Sequence, residues 1–330
     1  MSVFSSLKSA LTLAALAACA LAPMQQASAQ TAAWPSKPVR IIVSFPPGGT
    51  SDIVARLIGQ HLTDKLGQQF IVDNRPGAGG TLAGELVHKE APDGYTLILA
   101  NNAPFTIAPT QFKKIPYDPV ADFTHIGYIG ASAPGLLVQP SLGVKNLGDF
   151  IALARKDPKI SYGSSGVGSI SHILGEGVKK KAGIAMVHVP YKGNAPALTD
   201  VIAGRVDMIF DQQVSSEAFV KSGQLKPLAV TSSRRMPGAP QVPTLAESGF
   251  PQFDIVSWYG LALRTGTPQP IVDKLHAAIG EVLAEPDVRK KLQAAGVEPG
   301  ATTPQAFGQL MRDDTARWGQ VIRKAGITVQ

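Results

Sequence analysis

The chain has 330 residues, 44% of them hydrophobic and 17% charged; that is enough apolar sequence for two domain cores and excludes a disordered chain, and the Gly and Pro residues follow no collagen-like period. A single Cys excludes a disulfide framework and any Cys-built metal site. The net charge of +7 raises the question of an anionic partner, but the one dense basic run is Lys179-Lys180-Lys181 and no basic stripe is interleaved with aromatics, which argues against nucleic acid and leaves a small anion open.

From the N-terminus, Lys8, the apolar run Ala10 to Ala22 and the small residues of Ala27-Ser28-Ala29 predict a signal peptide over residues 1–29, cleaved after Ala29. Leu16-Ala17-Ala18-Cys19 also fits a lipobox, which would leave Cys19 lipidated. Either way the protein is expected in the periplasm, where nucleotide cofactors are scarce. No later stretch reaches the roughly 18 apolar residues of a membrane span.

Val39 to Phe45 reads as a strand that ends at Pro46-Pro47-Gly48-Gly49-Thr50-Ser51-Asp52 and leads into a helix stopped by Gly67. Phe70 to Asp73 is a second strand, running through Asn74-Arg75-Pro76-Gly77-Ala78-Gly79-Gly80 into the helix Thr81 to Lys89. Tyr95 to Ala100 is a third, ending in Asn101-Asn102. This alternation predicts a parallel sheet with crossover helices. A second set starts near Gly135, with strands at Leu136 to Gln139, Ile160 to Gly163, Met186 to Val189, Met208 to Phe210 and Leu228 to Val230. Helices are expected over Leu147 to Lys156, capped by Asn146, over Ser169 to about Lys181, and over Ala195 to Ala203. Ile255 to Leu263 and three further helical patterns follow, two of them opening on Thr267-Pro268 and Thr303-Pro304. Strand patterns stop and restart near Ala131 to Gly135 and Thr231 to Arg235, so the first lobe is expected over 30–132 and 232–330 and the second over 133–231, with both crossings forming a hinge.

In open parallel sheets ligands sit beyond the carboxyl ends of the strands. The loops there are rich in Gly and hydroxyls, and helix N-termini offer unpaired N–H donors that hold a carboxylate without an Arg. The expected contacts on the first lobe are Phe45, Pro47, Gly48, Gly49, Thr50, Asp52, Ala78, Gly79, Gly80, Thr81 and Asn102. On the second they are Ser164, Ser165, Gly166, Ser169, His172, Lys192 and Asp211. Several have a bland reading beside the functional one. Asp52 pairs with Arg56 four residues on, His172 is a core histidine, and Asp211 caps the next helix instead of meeting a ligand ammonium or hydroxyl. No dinucleotide fingerprint, P-loop or G-x-S-x-G elbow is present, since Leu82 stands where a third Gly is needed and Gly163-Ser164-Ser165-Gly166-Val167 misses the elbow by one position. The six His never take metal-ligand spacing. No catalytic residue, metal or cofactor is expected.

The ordered motifs resemble a known family. Trp34-Pro35, Phe45-Pro46-Pro47-Gly48-Gly49 with Asp52 and Arg56, Asn74-Arg75-Pro76-Gly77-Ala78-Gly79-Gly80, Tyr162-Gly163-Ser164-Ser165-Gly166 with His172, and Pro190-Tyr191-Lys192-Gly193 are similar to the Bug family of extracytoplasmic receptors for tripartite tricarboxylate transporters. The resemblance implies a type II periplasmic-binding-protein fold, two α/β lobes closing on an organic acid. The ligand class would be a di- or tricarboxylate, an acidic amino acid or an aromatic acid, received by a monomer and passed to membrane permease subunits. Two alternatives stay open: a secreted serine hydrolase with Ser165 as nucleophile, and a receptor that reports to a membrane sensor.

Overall fold

The computed structural model describes residues 34–236, 239–253 and 255–325, so the expected signal peptide and Cys19 lie outside the described residues. Residues up to Ser36 form a unit of their own, described from Trp34, and the fold lies in the unit that starts at Lys37. Its first part runs β1 (Val39–Val43), α1 (Thr50–Leu66), β2 (Phe70–Asn74), α2 (Thr81–Lys89), β3 (Thr96–Asn101), a π-turn over Ala103–Ile107, α3 (Ala108–Gln111) and β4 (Phe123–Ser132). The middle part runs β5 (Gly135–Val138), α4 (Leu147–Lys156), β6 (Ser161–Ser164), α5 (Ile170–Ala182), β7 (Val187–Pro190), α6 (Asn194–Ile202), β8 (Met208–Asp211), α7 (Gln213–Lys221) and β9 (Lys226–Val230). The chain then forms β10 (Ser257–Arg264), α8 (Gln269–Ala284), α9 (Pro286–Ala294), β11 (Glu298–Pro299) and α10 (Pro304–Ala325).

Among the described residues the strands form a six-stranded sheet, β11-β4-β10-β3-β1-β2, and a five-stranded sheet, β7-β6-β8-β5-β9. β1 pairs in parallel with β2 and β3, as the βαβ pattern predicts. The sheet is nevertheless mixed. β10 returns from the five-stranded sheet and inserts antiparallel between β3 and β4. In the second sheet β6 is parallel to β7 and β8, while β5 runs antiparallel to β8 and β9. β1 reads VRIIV without alternation because both of its faces are covered. α2 and α10 pack Ala83, Val87, Phe307 and Met311 against Ile42 and Ile98, and on the other side α1 presses Gly59 against Ile41.

β4 is the longest strand and carries no pattern by which the sequence announces it. Its alternation is broken by Gly127 and Gly130, and packing accounts for the second. A Cβ on Gly130 would stand 2.5 Å from the Glu298 carbonyl oxygen, and one on Gly127 3.5 Å from Ile279 of α8. Glycine at 130 lets β11 close on the strand, whereas the Gly127 contact is ordinary packing distance. Three caps can be compared with expectation. Asn146 does cap α4, accepting from the Asp149 N–H at 2.9 Å, and Thr303 Oγ1 accepts from the Ala306 N–H. Thr267 does not cap α8, because its hydroxyl donates to the Arg264 carbonyl instead.

α10 reaches both cores. Phe307 and Met311 belong to the first-sheet cluster, while Trp318 and Ile322 pack with Leu174, Phe210 and Phe250 of the second. Between them Asp314 is 4% exposed, and its Oδ2 accepts from Asn102 Nδ2 (2.8 Å), Thr106 Oγ1 (2.8 Å), Trp258 Nε1 (2.7 Å) and Trp318 Nε1 (3.0 Å). Arg317 donates to the other oxygen. Asp314→Ala should cost about 3–5 kcal/mol, the scale for stripping a buried charge from its partners, with Asp314→Asn recovering part of it. Denaturant unfolding measures both, and a loss under about 1 kcal/mol for the Ala variant would refute the assignment.

Candidate functional site

A cavity of about 130 Å³ is lined from both sheets. At roughly 10–15 Å³ for each water-sized group, it suits a molecule of on the order of ten non-hydrogen atoms. Its first wall is Phe45 to Ser51 and Asn101 to Ala103, at the carboxyl ends of β1 and β3. Its second wall is Ser165, Ile170, Ser171, Lys192 to Pro196, Phe210 to Gln212 and Ser215, beyond β6, β7 and β8. Pro134, Ser257 and Tyr259 join from the segments that cross between sheets. The walls touch: a Cβ on Gly193 would lie 3.3 Å from Pro46, and one on Gly168 2.1 Å from Gln111 Oε1. The starts of α1, α5 and α6 open on this space, bringing helix N–H donors to it. Lys192 is the one basic and Asp211 the one acidic side chain among the lining residues.

On the first wall Phe45, Pro47, Gly48, Gly49, Thr50 and Asn102 all line the cavity, whereas Asp52 does not. Asp52 Oδ2 accepts from the Gly48 N–H (3.1 Å) and from Arg56 Nε (3.0 Å), while Asn74 Nδ2 donates to the Phe45 carbonyl. These bonds hold the Pro-Gly loop from behind. Burial opposes ionisation of Asp52, but hydrogen bonds from Arg56 and Gly48 outweigh it and keep the carboxyl below its usual range. Asn102 has both amide atoms engaged, Nδ2 with Asp314 and Oδ1 with the Trp258 N–H, so it serves as a post.

Ala78, Gly79, Gly80 and Thr81 stand off the cavity wall. Their turn closes on itself, with Thr81 Oγ1 donating to the Ala78 carbonyl (2.9 Å) and the Gly80 N–H to Gly77. A Cβ on Gly80 would meet Pro104 and Ser44, and one on Gly79 would face Phe112 3.5 Å away. Arg75 is turned onto Asp73 at 2.9 Å.

The second wall differs from expectation in which groups it offers. Ser165 and Lys192 line the cavity, but Ser164, Gly166, Ser169 and His172 lie behind it. The loop's N–H donors are already used: Ser165 N donates to Ser171 Oγ, Gly166 N to Ser164 Oγ, Gly168 N to His172 Nδ1 and Ser169 N to the Gly166 carbonyl. Ser169 also caps α5. His172 stacks on His188 with ring centroids 4.1 Å apart, and His188 Nε2 meets Ser164 Oγ at 2.7 Å. Burial, reinforced by its neighbour His172, pushes His188 down to about 4.

Asp211 lines the cavity at 1% exposure. Asn194 Nδ2 and Ser215 Oγ (2.6 Å) both donate to its carboxylate. Burial pushes Asp211 up to about 6 against the pull of those donors and of the Gln212 N–H. Gln212 beside it bonds both crossing strands, accepting from Ser132 Oγ (2.5 Å) and donating to Ser257 Oγ (2.7 Å). Tyr259 lies close enough to feel the Asp211 charge, and burial holds its phenol protonated well above the usual range.

The model of the family described as "Tripartite tricarboxylate transporter family receptor" matches residues 54–327. The chain belongs to this family. It is similar to protein BugT of Bordetella pertussis, 34% identical over 295 residues that cover 89% of this chain and 90% of BugT. Among solved structures it resembles an R. palustris protein with adipate, at 36% identity and a TM-score of 0.86 over 89% of this chain and 99% of that one. It also resembles MatC from Rhodopseudomonas palustris with bound malate, at 33% identity and a TM-score of 0.83, covering 88% of this chain and all of the other (100%). The receptor therefore has the type II periplasmic-binding-protein fold of two α/β lobes, with the family's cleft between them.

Sequence reasoning missed the α6 start, Asn194 and Ala195, and the crossing residues Ser257 and Tyr259 of this receptor. For α6 the signal was present in Gly193-Asn194 at a strand end; for Ser257 and Tyr259, buried in a strand, there was none.

Because its carboxyl is pushed up by burial, Asp211 binds a proton more tightly in the folded than in the unfolded chain. Its contribution to stability therefore falls as pH rises from about 4 to about 6 and is level above that. Asp211→Asn removes this dependence, so the variant should gain on wild type between those pH values in ligand-free urea unfolding. A variant whose stability relative to wild type stays level or falls across that pH range would contradict a buried, costly carboxylate.

Proposed function

We propose that this receptor works in the periplasm as a monomer, capturing a small organic carboxylate and delivering it to membrane permease subunits without chemical change. The observation that carries this is the cavity between the two sheets, sized for about ten non-hydrogen atoms and lined by three helix starts and one lysine. Relatives solved with adipate and malate support the ligand class. The first 29 residues act as the export signal, cleaved after Ala29. A hydrolase reading finds little support at the cavity. Ser165 Oγ has Ser171 Oγ as its partner at 3.3 Å, and the serine that meets a histidine, Ser164, is fully buried away from the cavity.

In this reading the lobes are 30–132 with 232–330, and 133–231, with one exception. The segment carrying Leu245, Phe250 and Ile255 packs on the second-sheet cluster and moves with the second lobe, so the crossings lie near Ser132 and Ser257. Ligand favours the closed state because only there do both walls reach it. Gln212 links the cavity to both crossing strands, so a group bound beside it acts where the hinge is tied. Closing also brings Gly168 onto Gln111, whose amide atoms are buried without hydrogen-bond partners.

A thermal-shift screen of mono-, di- and tricarboxylates and acidic amino acids tests the ligand class. An acid at about 100 times its Kd should stabilise by about 2.7 kcal/mol, and silence across the whole set would end the proposal. Small-angle scattering should show a smaller radius of gyration with that acid than without it. Gly168→Ala places a methyl where Gln111 must sit on closure, at a backbone φ of +85°. Strain of about 1 kcal/mol should appear in the unliganded protein, and ligand affinity should fall by about tenfold beyond it. An unchanged Kd would mean that the Gly168 contact plays no part in closure.

A further inference from the structure

Beside Asp211 the second wall of the cavity presents more acceptors than it has donors to fill them. Asn194 Nδ2 is committed to Asp211, which fixes the amide's orientation, since the reverse would set an oxygen against the carboxylate. Asn194 Oδ1 is then buried and has no hydrogen-bond partner. Asp211 receives Asn194, Ser215 and the Gln212 N–H, which leaves room for another donor on a carboxylate that accepts about four. A buried acceptor without a donor costs free energy, and a second carboxylate brought here would add like-charge repulsion in a poorly solvated site. The ligand's anionic end therefore belongs with Lys192 and the α1 start, and a different group faces Asp211.

We infer that the ligand is a carboxylate bearing a hydroxyl or ammonium group, and that this group donates to Asn194 Oδ1 and the Asp211 carboxylate. This rests on the reading of the cleft as a carboxylate site and narrows it to hydroxy or amino acids. A site built to receive a donor rejects the analogue that lacks it, because its own acceptors are then left dry and unpaired.

Calorimetry on the wild-type protein with matched acids tests the inference: succinate against malate and aspartate, glutarate against 2-hydroxyglutarate and glutamate, adipate against 2-aminoadipate. At the best-fitting chain length the hydroxy or amino acid should bind at least about tenfold tighter than the plain diacid. In Asp211→Asn and Asn194→Leu, each checked for folding by its unliganded melting curve, that ratio should shrink to under about threefold. A plain diacid that binds as tightly as its substituted partners, or a ratio that survives both substitutions, overturns the inference and leaves the carboxylate reading standing. If no acid of any kind binds, both fall together. Should either variant fail to fold, the wild-type series alone decides.

Discussion

The C-terminal helix, the cavity and one of the crossing strands depend on a single oxygen atom. Burying a carboxylate is affordable in free energy only when donors replace its water, and Asp314 Oδ2 draws them from four places: Asn102 after β3, Thr106 in the π-turn, Trp258 in β10 and Trp318 in α10. No two of these are near neighbours in sequence except Asn102 and Thr106. Satisfying the oxygen therefore fixes where α10 lies, and α10 in turn packs into both hydrophobic clusters. Asn102 carries the constraint onward through its Oδ1 to the Trp258 N–H, and Ser257 next to it takes the Gln212 amide. The cavity is one step from the knot that locates the crossing strand β10.

The basic side chains near the cavity show how the first wall handles charge. Arg56 is spent on Asp52, and Arg75 on Asp73, so neither reaches the ligand space. What remains is backbone N–H at the start of α1 and, from across the cleft, Lys192. Such donors are fixed by the helix and need no reorganisation to meet an anion. The Asp52–Arg56 pair contributes indirectly, since the Gly48 N–H it engages sets the loop that precedes the helix.

Much of this was legible in the sequence because it rests on local chemistry. The β1–α1–β2–α2–β3 alternation, the Gly-rich strand ends and the Asn146 cap follow from residues within a few positions of one another. What was not legible rests on distant partners. β4 hides behind Gly127 and Gly130, and the reason for Gly130 is Glu298, far along the chain. Gly79, Gly80 and Thr81 have the composition of a ligand loop, yet their turn closes on its own hydrogen bonds and Pro104 crowds the space beside Gly80. His172 reads as a cleft residue by helical position, but its stacking on His188 holds it in the wall. Composition identifies a loop able to donate; only the neighbours show whether its donors are still free.

That distinction also separates the two walls. On the first, the loop is braced from behind by side chains and its helix start faces the cavity with N–H groups open. On the second, Ser164, Ser171, His172 and the Gly166 carbonyl have consumed the loop's N–H groups, so the backbone of Ser165 to Ser169 can shape the wall but offers few donors. Recognition there passes to side chains: Lys192, Asn194, Asp211 and Gln212. Backbone donors at a helix start accept many acids, because every carboxylate presents the same two oxygens to them. Side-chain groups of fixed polarity discriminate, since a mismatch leaves a buried group unpaired. In the proposed reading the first wall selects for a carboxylate and the second for what else the molecule carries. A change of ligand within this fold need touch only the few residues at the ends of β7 and β8.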